Sequence, residues 1–188
     1  MLDIYKSCPI LENENFLLRL IEEKDAEDLL KIYSDKAALP FFNSDNCHGS
    51  NFYITNEKDM INTIKYWRIE YSEGGFVRFT IIDKGRNSAI GTIELFNRKA
   101  NDYFNNCGLL RIDLHPDYEN TEIIADILSI IVEPAYELFD CTMIAMKAPI
   151  YAVDRIEALQ KSEFMLTEEH LTGSYGGKEY YDYWIKFK

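Results

Sequence analysis

The chain has 188 residues, 47% hydrophobic and 14% aromatic, with 32 acidic against 20 basic side chains and a net charge of −12. This length predicts one domain, 1–188, with a sizeable core, and the lack of any apolar run of about 18 residues speaks against a membrane span. The charge argues against nucleic acid, whose binding rests on Lys and Arg neutralising phosphates, and suits a cationic small molecule or amine.

Met1 to Leu11 carries Asp3, Lys6 and Pro9 and no apolar signal segment. Cys8, Cys47, Cys107 and Cys141 form no Cys-x-x-Cys pair. The expectation is therefore a cytoplasmic protein with reduced thiols. A zinc site on Cys47 and His48 finds no support in spacing, and no metal is expected.

Phe16 to Leu20 reads as a strand, and Asp25 caps a helix over Ala26 to Tyr33. Ala37 to Ile54 is a long loop rich in Pro, Asn and rings (Phe41, Phe42), which either roof the core or line a substrate pocket. A helix follows from Glu57 to Glu70, with Met60, Ile64 and Trp67 at helical spacing, and Glu73-Gly74-Gly75 stops it. Phe76 to Ile82 and Ile90 to Phe96 form a hairpin around Gly85, and Cys107 to Leu114 is the next strand. Thr121 to Leu138 is the longest helix, with Ile124, Ile127, Leu128, Ile131, Ala135 and Leu138 on its buried face and a kink expected at Pro134. Thr142 to Ala148 is a strand, Ala152 to Lys161 a helix, and Phe164 to Glu168 and Tyr180 to Phe187 a closing strand pair. The order is mixed α/β, with one crossover able to set neighbouring strands parallel. The aromatic tail Tyr180-Tyr181-Asp182-Tyr183-Trp184 is read as an apolar edge that a second subunit covers in a homodimer.

This plan resembles the GNAT superfamily of N-acetyltransferases, in particular the ribosomal-protein alanine and serine acetyltransferase branch. The residues that carry the resemblance are Leu18-Arg19-Leu20 with Asp25-Ala26, Ile32-Tyr33-Ser34-Asp35, Ile90-Gly91-Thr92-Ile93-Glu94-Leu95-Phe96, His115-Pro116-Asp117-Tyr118, Leu159-Gln160-Lys161-Ser162-Glu163-Phe164 and Tyr175-Gly176-Gly177-Lys178. The resemblance implies a central, mostly antiparallel sheet with helices on both faces. It also implies acetyl-CoA as donor and direct attack of an amine on the thioester, with the donor pyrophosphate on a Gly-rich turn opening the long helix. That turn falls on Tyr118 to Ile123. The cofactor-binding candidates are accordingly Ile112, Asp113 and Leu114 on the strand, Asn120, Thr121, Glu122 and Ile123 at the helix start, and Arg155 on the following helix.

The sequence departs from the family in this region. Asn120 and Glu122 replace the expected glycines, no Lys or Arg occurs from Pro116 through Asp140, and seven acidic residues fall in that interval. Ala152, Arg155 and Glu163 stand where the family places Asn, Ser and Gly. Acidic side chains in a first helical turn stabilise it by roughly 0.3–1 kcal/mol, so Glu119 and Glu122 predict a self-capped helix start in competition with a bound anion.

Three catalytic candidates follow. Glu94 shares a strand face with Thr92 and serves as general base or amine ligand, or else faces solvent. Tyr151 lies where the family often places a thiolate-protonating tyrosine, with core packing as the alternative. His48, with Asp45, is a substrate-side base. Asp113 and His115 share one strand face, as a cation site or as a structural pair. Arg155 contacts a phosphate or is a surface arginine. Two functions fit: an acetyl-CoA-dependent transferase acting on a primary amine of a small molecule or peptide N-terminus, or a non-catalytic binding module of the same fold.

Overall fold

The alternating segments assemble into one eight-stranded sheet because their apolar faces need cover on both sides. A computed structural model describes residues 3–174 and 176–188, so Tyr175 of the tail turn lies outside the described residues. The strands are β1 (Leu11–Glu12), β2 (Phe16–Leu20), β3 (Val77–Asp83), β4 (Ser88–Arg98), β5 (Cys107–Leu114), β6 (Met143–Lys147), β7 (Met165–Leu166) and β10 (Tyr183–Phe187). Their order across the sheet is β1-β2-β3-β4-β5-β6-β10-β7. Every pairing is antiparallel except β5 with β6, which the crossover helix sets parallel. A separate hairpin of β8 (Leu171–Thr172) and β9 (Glu179–Tyr180) completes the strands.

Helices α1 (Ala26–Tyr33) and α2 (Glu57–Ser72) pack Leu29, Ile32, Tyr33, Met60, Ile64 and Trp67 into one cluster on one face of the sheet. Helices α3 (Thr121–Leu138) and α4 (Val153–Lys161) cover the other face, where Ile124, Ile127, Leu128, Ile131, Ala158 and Leu159 meet Ile93, Leu95, Ile112 and Leu114. Each fully buried Leu or Ile contributes roughly 1.5–3 kcal/mol. That packing offsets Pro134, and α3 runs through it to Leu138.

Three sequence expectations change. Asp25 makes no side-chain cap for α1. Its carboxylate accepts from Arg19 at 2.6 and 2.9 Å and from Thr80 Oγ1 at 2.7 Å, a buried tie between strands and helix start. The aromatic tail is not an edge, because β10 inserts between β6 and β7 and buries Tyr183 and Trp184. Of the tail rings, Tyr181 stays exposed. The rings of the long loop divide: Phe42 packs on Tyr33 with centroids 5.2 Å apart, while Phe52 turns to a cavity.

Gly91 marks the tightest approach between β4 and β5, since a Cβ there falls 2.3 Å from the Asp113 carbonyl oxygen and 2.8 Å from Leu114 Cδ2. Gly91→Ala is expected to cost roughly 1–3 kcal/mol of stability through overpacking, seen as a lower urea midpoint at unchanged slope. An unmoved midpoint would show that the strands can separate there freely.

Candidate functional site: a cavity beside an open strand edge

Strand alternation sends Arg78, Thr80, Thr92, Glu94, Arg111 and Asp113 to the α1–α2 face, where all are buried. Charges in such a place need partners. Arg78 reaches Glu94 at 2.5 Å, Asp113 at 3.0 Å and Thr92 Oγ1 at 3.1 Å. Its guanidinium lies over Trp67, 4.2 Å from the ring centroid. Arg111 takes the other Glu94 oxygen at 2.7 Å and donates to the Asp45 carbonyl oxygen at 2.8 Å and to Cys47 Sγ at 3.3 Å. Tyr33 donates its hydroxyl to Asp113 at 2.8 Å. Burial opposes the Arg78 charge, but Glu94 leads the neighbours that overcome it and hold its pKa above the ordinary arginine value. Burial and Asp113 together push the Tyr33 hydroxyl well up, so it stays a donor.

Above this layer a cavity of about 670 Å³ opens between α2 and the long loop. Glu94 and Arg111 form part of its floor, Phe52, Tyr66, Trp67 and Phe76 its walls, and Cys47, His48, Asn51, Asp59 and Asn62 its polar lining. Burial pushes the Cys47 thiol up, only partly countered by Arg111, so it remains protonated. His48 lies exposed at the rim in a left-handed conformation, φ 53°.

The second element is an unpaired stretch of strand. His115 donates its N–H to Ile90 O at 2.9 Å, which turns the peptide groups of odd-numbered β5 residues toward β4. Even-numbered residues face β6, but the parallel register ends at Leu110↔Met146. Beyond it the two strands part, and among the described residues neither Ile112 nor Leu114 has a backbone partner on that side. Arg111, which lines the cavity, directly precedes Ile112, so the open edge begins beside the cavity floor.

The helix start beyond this edge differs from a phosphate turn. Asn120 is extended, φ −140° and ψ 156°, and its side chain accepts from Ile123 N at 3.0 Å. The caps therefore come from Asn120 and not from the glutamates. Arg155, 1% exposed at its side chain, is bound through both oxygens of Glu119, with Nε donating at 2.9 Å. Thr121 Oγ1 is within hydrogen-bond distance of Asp154 and Glu157, and Glu122 pairs with Lys161. Every side chain with which Asn120, Thr121, Glu122 and Arg155 were expected to hold the donor is thus engaged within the chain. Ile123 offers only its peptide group, which Asn120 occupies.

Of the catalytic candidates, Glu94 and His48 line the same cavity. Glu94 does not face solvent and has both carboxylate oxygens occupied by guanidinium groups. Tyr151 lies apart, 58% exposed and not in the core, donating its hydroxyl to Pro40 O at 2.7 Å. It borders a smaller cavity of about 260 Å³ together with Asp45 and Lys147, which are paired at 2.6 Å. Asp113 belongs to the buried network, whereas the half-buried His115 accepts from Asp117 N at 3.2 Å, so the two form no joint cation site. Arg78 and Arg111 escaped the sequence reading. Their signal was an arginine inside a mainly apolar strand, on the same face as Thr80 in β3 and Asp113 in β5.

This sheet, with its parted parallel pair and crossover helix, defines an acyltransferase-type α/β fold. The family model for the acetyltransferase (GNAT) domain matches residues 15–159, and the chain belongs to that family, whose members are N-acetyltransferases that use acetyl-CoA. Solved structures share the fold over nearly their whole length. A GNAT-family acetyltransferase from Bacillus anthracis is 15% identical, covering 95% of this chain and 98% of that one at a TM-score of 0.69. The ribosomal-protein-S5-alanine acetyltransferase from Vibrio fischeri is 15% identical, with coverage of 95% and 96% at 0.70. A ribosomal L7/L12 alpha-N-protein acetyltransferase in complex with coenzyme A is 14% identical, with coverage of 95% and 98% at 0.68. No curated protein matches the chain significantly. Among the described residues no group of side chains is suited to a metal ion, and no helix is long and apolar enough to cross a membrane.

Arg78→Met leaves Glu94 with one partner and Asp113 with only a hydroxyl in a dry layer, and is expected to cost about 3–5 kcal/mol. Chemical denaturation reads this directly, and a loss below about 1 kcal/mol would mean that the carboxylates find water when the arginine goes.

Proposed function

We propose that this member of the family acetylates a primary amine, of a small molecule or a peptide N-terminus, held in the 670 Å³ cavity. The observation that carries this reading is the position of Arg111, whose side chain lines the cavity while Ile112 next to it, and Leu114 further along the strand, present unpaired peptide groups. An open strand edge takes an extended chain of amides as it would take another strand. The pantetheine arm of acetyl-CoA is such a chain, and it supplies an acyl group activated as a thioester. Ile112 and Leu114 hold the arm by their backbone, and the Asp113 peptide, which faces β4, does not.

The acceptor side favours a cation. Trp67, Tyr66 and Phe52 offer ring faces, Asp59 a carboxylate, and the net charge of −12 draws ammonium groups in. We infer direct transfer because the cavity's thiol, Cys47, is kept protonated by burial and makes a poor nucleophile. Glu94, locked between Arg78 and Arg111, shapes the floor and takes no proton from the amine. His48, at the exposed rim, is the proton acceptor in this reading, and Tyr151 borders the smaller cavity.

Acetyl-CoA titrated into the protein in a calorimeter should bind once per chain, and an absence of heat at millimolar ligand would leave only the binding-module alternative. His48→Gln is expected to lower kcat by about a hundredfold while leaving that binding heat in place. If Glu94→Gln instead abolishes turnover with stability intact, the roles of Glu94 and His48 given above are exchanged.

A further inference from the structure

The strand edge and the helix start give opposite answers about the donor. The edge at Ile112 and Leu114 is open to an extended arm. The side chains of the turn beside it are already engaged: Asn120 caps Ile123, and Glu119 takes Nε and Nη2 of Arg155 in a pair almost wholly removed from solvent. No basic residue lies between Pro116 and Asp140, and Lys161, from α4, is paired with Glu122. A diphosphate brought here meets two carboxylates and no unpaired guanidinium. Its own charge works against it, because like charges at close range repel strongly in a partly dry site.

We propose that the donor site of this chain reads the pantetheine arm of its acyl donor and not the nucleotide diphosphate, with Glu119 as the residue that sets this specificity. The inference rests on the donor reading above and deepens it. Glu119 stands in for the phosphate oxygens: a planar carboxylate on a guanidinium is the same bidentate pairing that a phosphate makes. Because the pair is internal, it costs no association entropy, and a phosphate from solution competes with it at a disadvantage. The substrate class that follows is acyl thioesters on a pantetheine arm, whether or not a nucleotide is attached.

Calorimetry on the intact wild-type protein tests this with S-acetyl-pantetheine and acetyl-CoA side by side. The two dissociation constants should agree within about threefold, because a site that pairs one phosphate bidentately gains about ten- to a hundredfold. Inorganic pyrophosphate in excess should displace neither ligand. Glu119→Gln keeps the size of the side chain and releases the Arg155 charge, so it should give acetyl-CoA an advantage of about tenfold or more over S-acetyl-pantetheine. An acetyl-CoA preference above about tenfold in the wild type would overturn the specificity while leaving the donor reading intact. So would a Glu119→Gln protein that still binds both ligands equally. Failure of both thioesters to bind the wild type would remove the donor reading and this inference together.

Discussion

The Arg78–Glu94–Arg111 chain of ion pairs is the constraint from which the rest of the molecule follows. It links β3, β4 and β5 through their side chains, and through Asp113 and Tyr33 it ties the sheet to α1. Arg111 carries it on to the backbone of the long loop at Asp45. Buried ion pairs add little net stability, but losing one partner is expensive, so their effect is to exclude alternative arrangements. That exclusion sets the floor of the cavity and holds the loop above it. It also leaves both oxygens of the Glu94 carboxylate paired with guanidinium groups at that floor.

In the function proposed above, the two ends of the reaction path are built by different kinds of interaction. The acceptor side uses side chains, rings and a few polar groups, around a floor whose charges cancel. The donor side uses backbone, because the partial separation of β5 and β6 leaves amide groups without a strand to answer them. Such groups are costly to leave unpaired in a buried place, and they therefore invite a ligand of matching spacing. The helix start could have supplied a third kind of interaction, a dipole aimed at an anion. In this chain Asn120 and the Glu119–Arg155 pair have absorbed it, and the negative charge of the surrounding sequence points the same way.

Much of the fold was legible in local pattern. The spacing of Ile124, Ile127, Leu128 and Ile131 defined α3, and the alternation in Ile90 to Phe96 correctly placed Thr92 and Glu94 opposite Ile93 and Leu95. The site was legible only in part. Glu94 and His48 could be nominated by residue type, and the structure brings them to one cavity. Their nomination said nothing of Arg78, which shares the sheet face of Glu94 and meets Trp67 only through the packing of α2. Tyr151 was nominated by its position in the order, yet the chain between β6 and α4 carries it outward to Pro40. The tail from Tyr180 to Trp184 shows the same limit: its rings suggested an exposed edge, whereas non-local pairing put Tyr183 and Trp184 in the interior.

What the sequence determined by itself is everything that depends on neighbours a few residues apart: the element types, the membership of the sheet faces, the missing glycines and the acidity of the turn before α3. What only the tertiary structure decided is which charges meet. Arg155 and Glu119 are 36 residues apart, and Lys147 and Asp45 102 apart. No periodicity encodes such meetings, because ion pairing depends on distance in space and on the loss of water around it. The sequence could show that the turn lacked the means to hold a phosphate. Folding was needed to show that an internal carboxylate holds the arginine a phosphate would use.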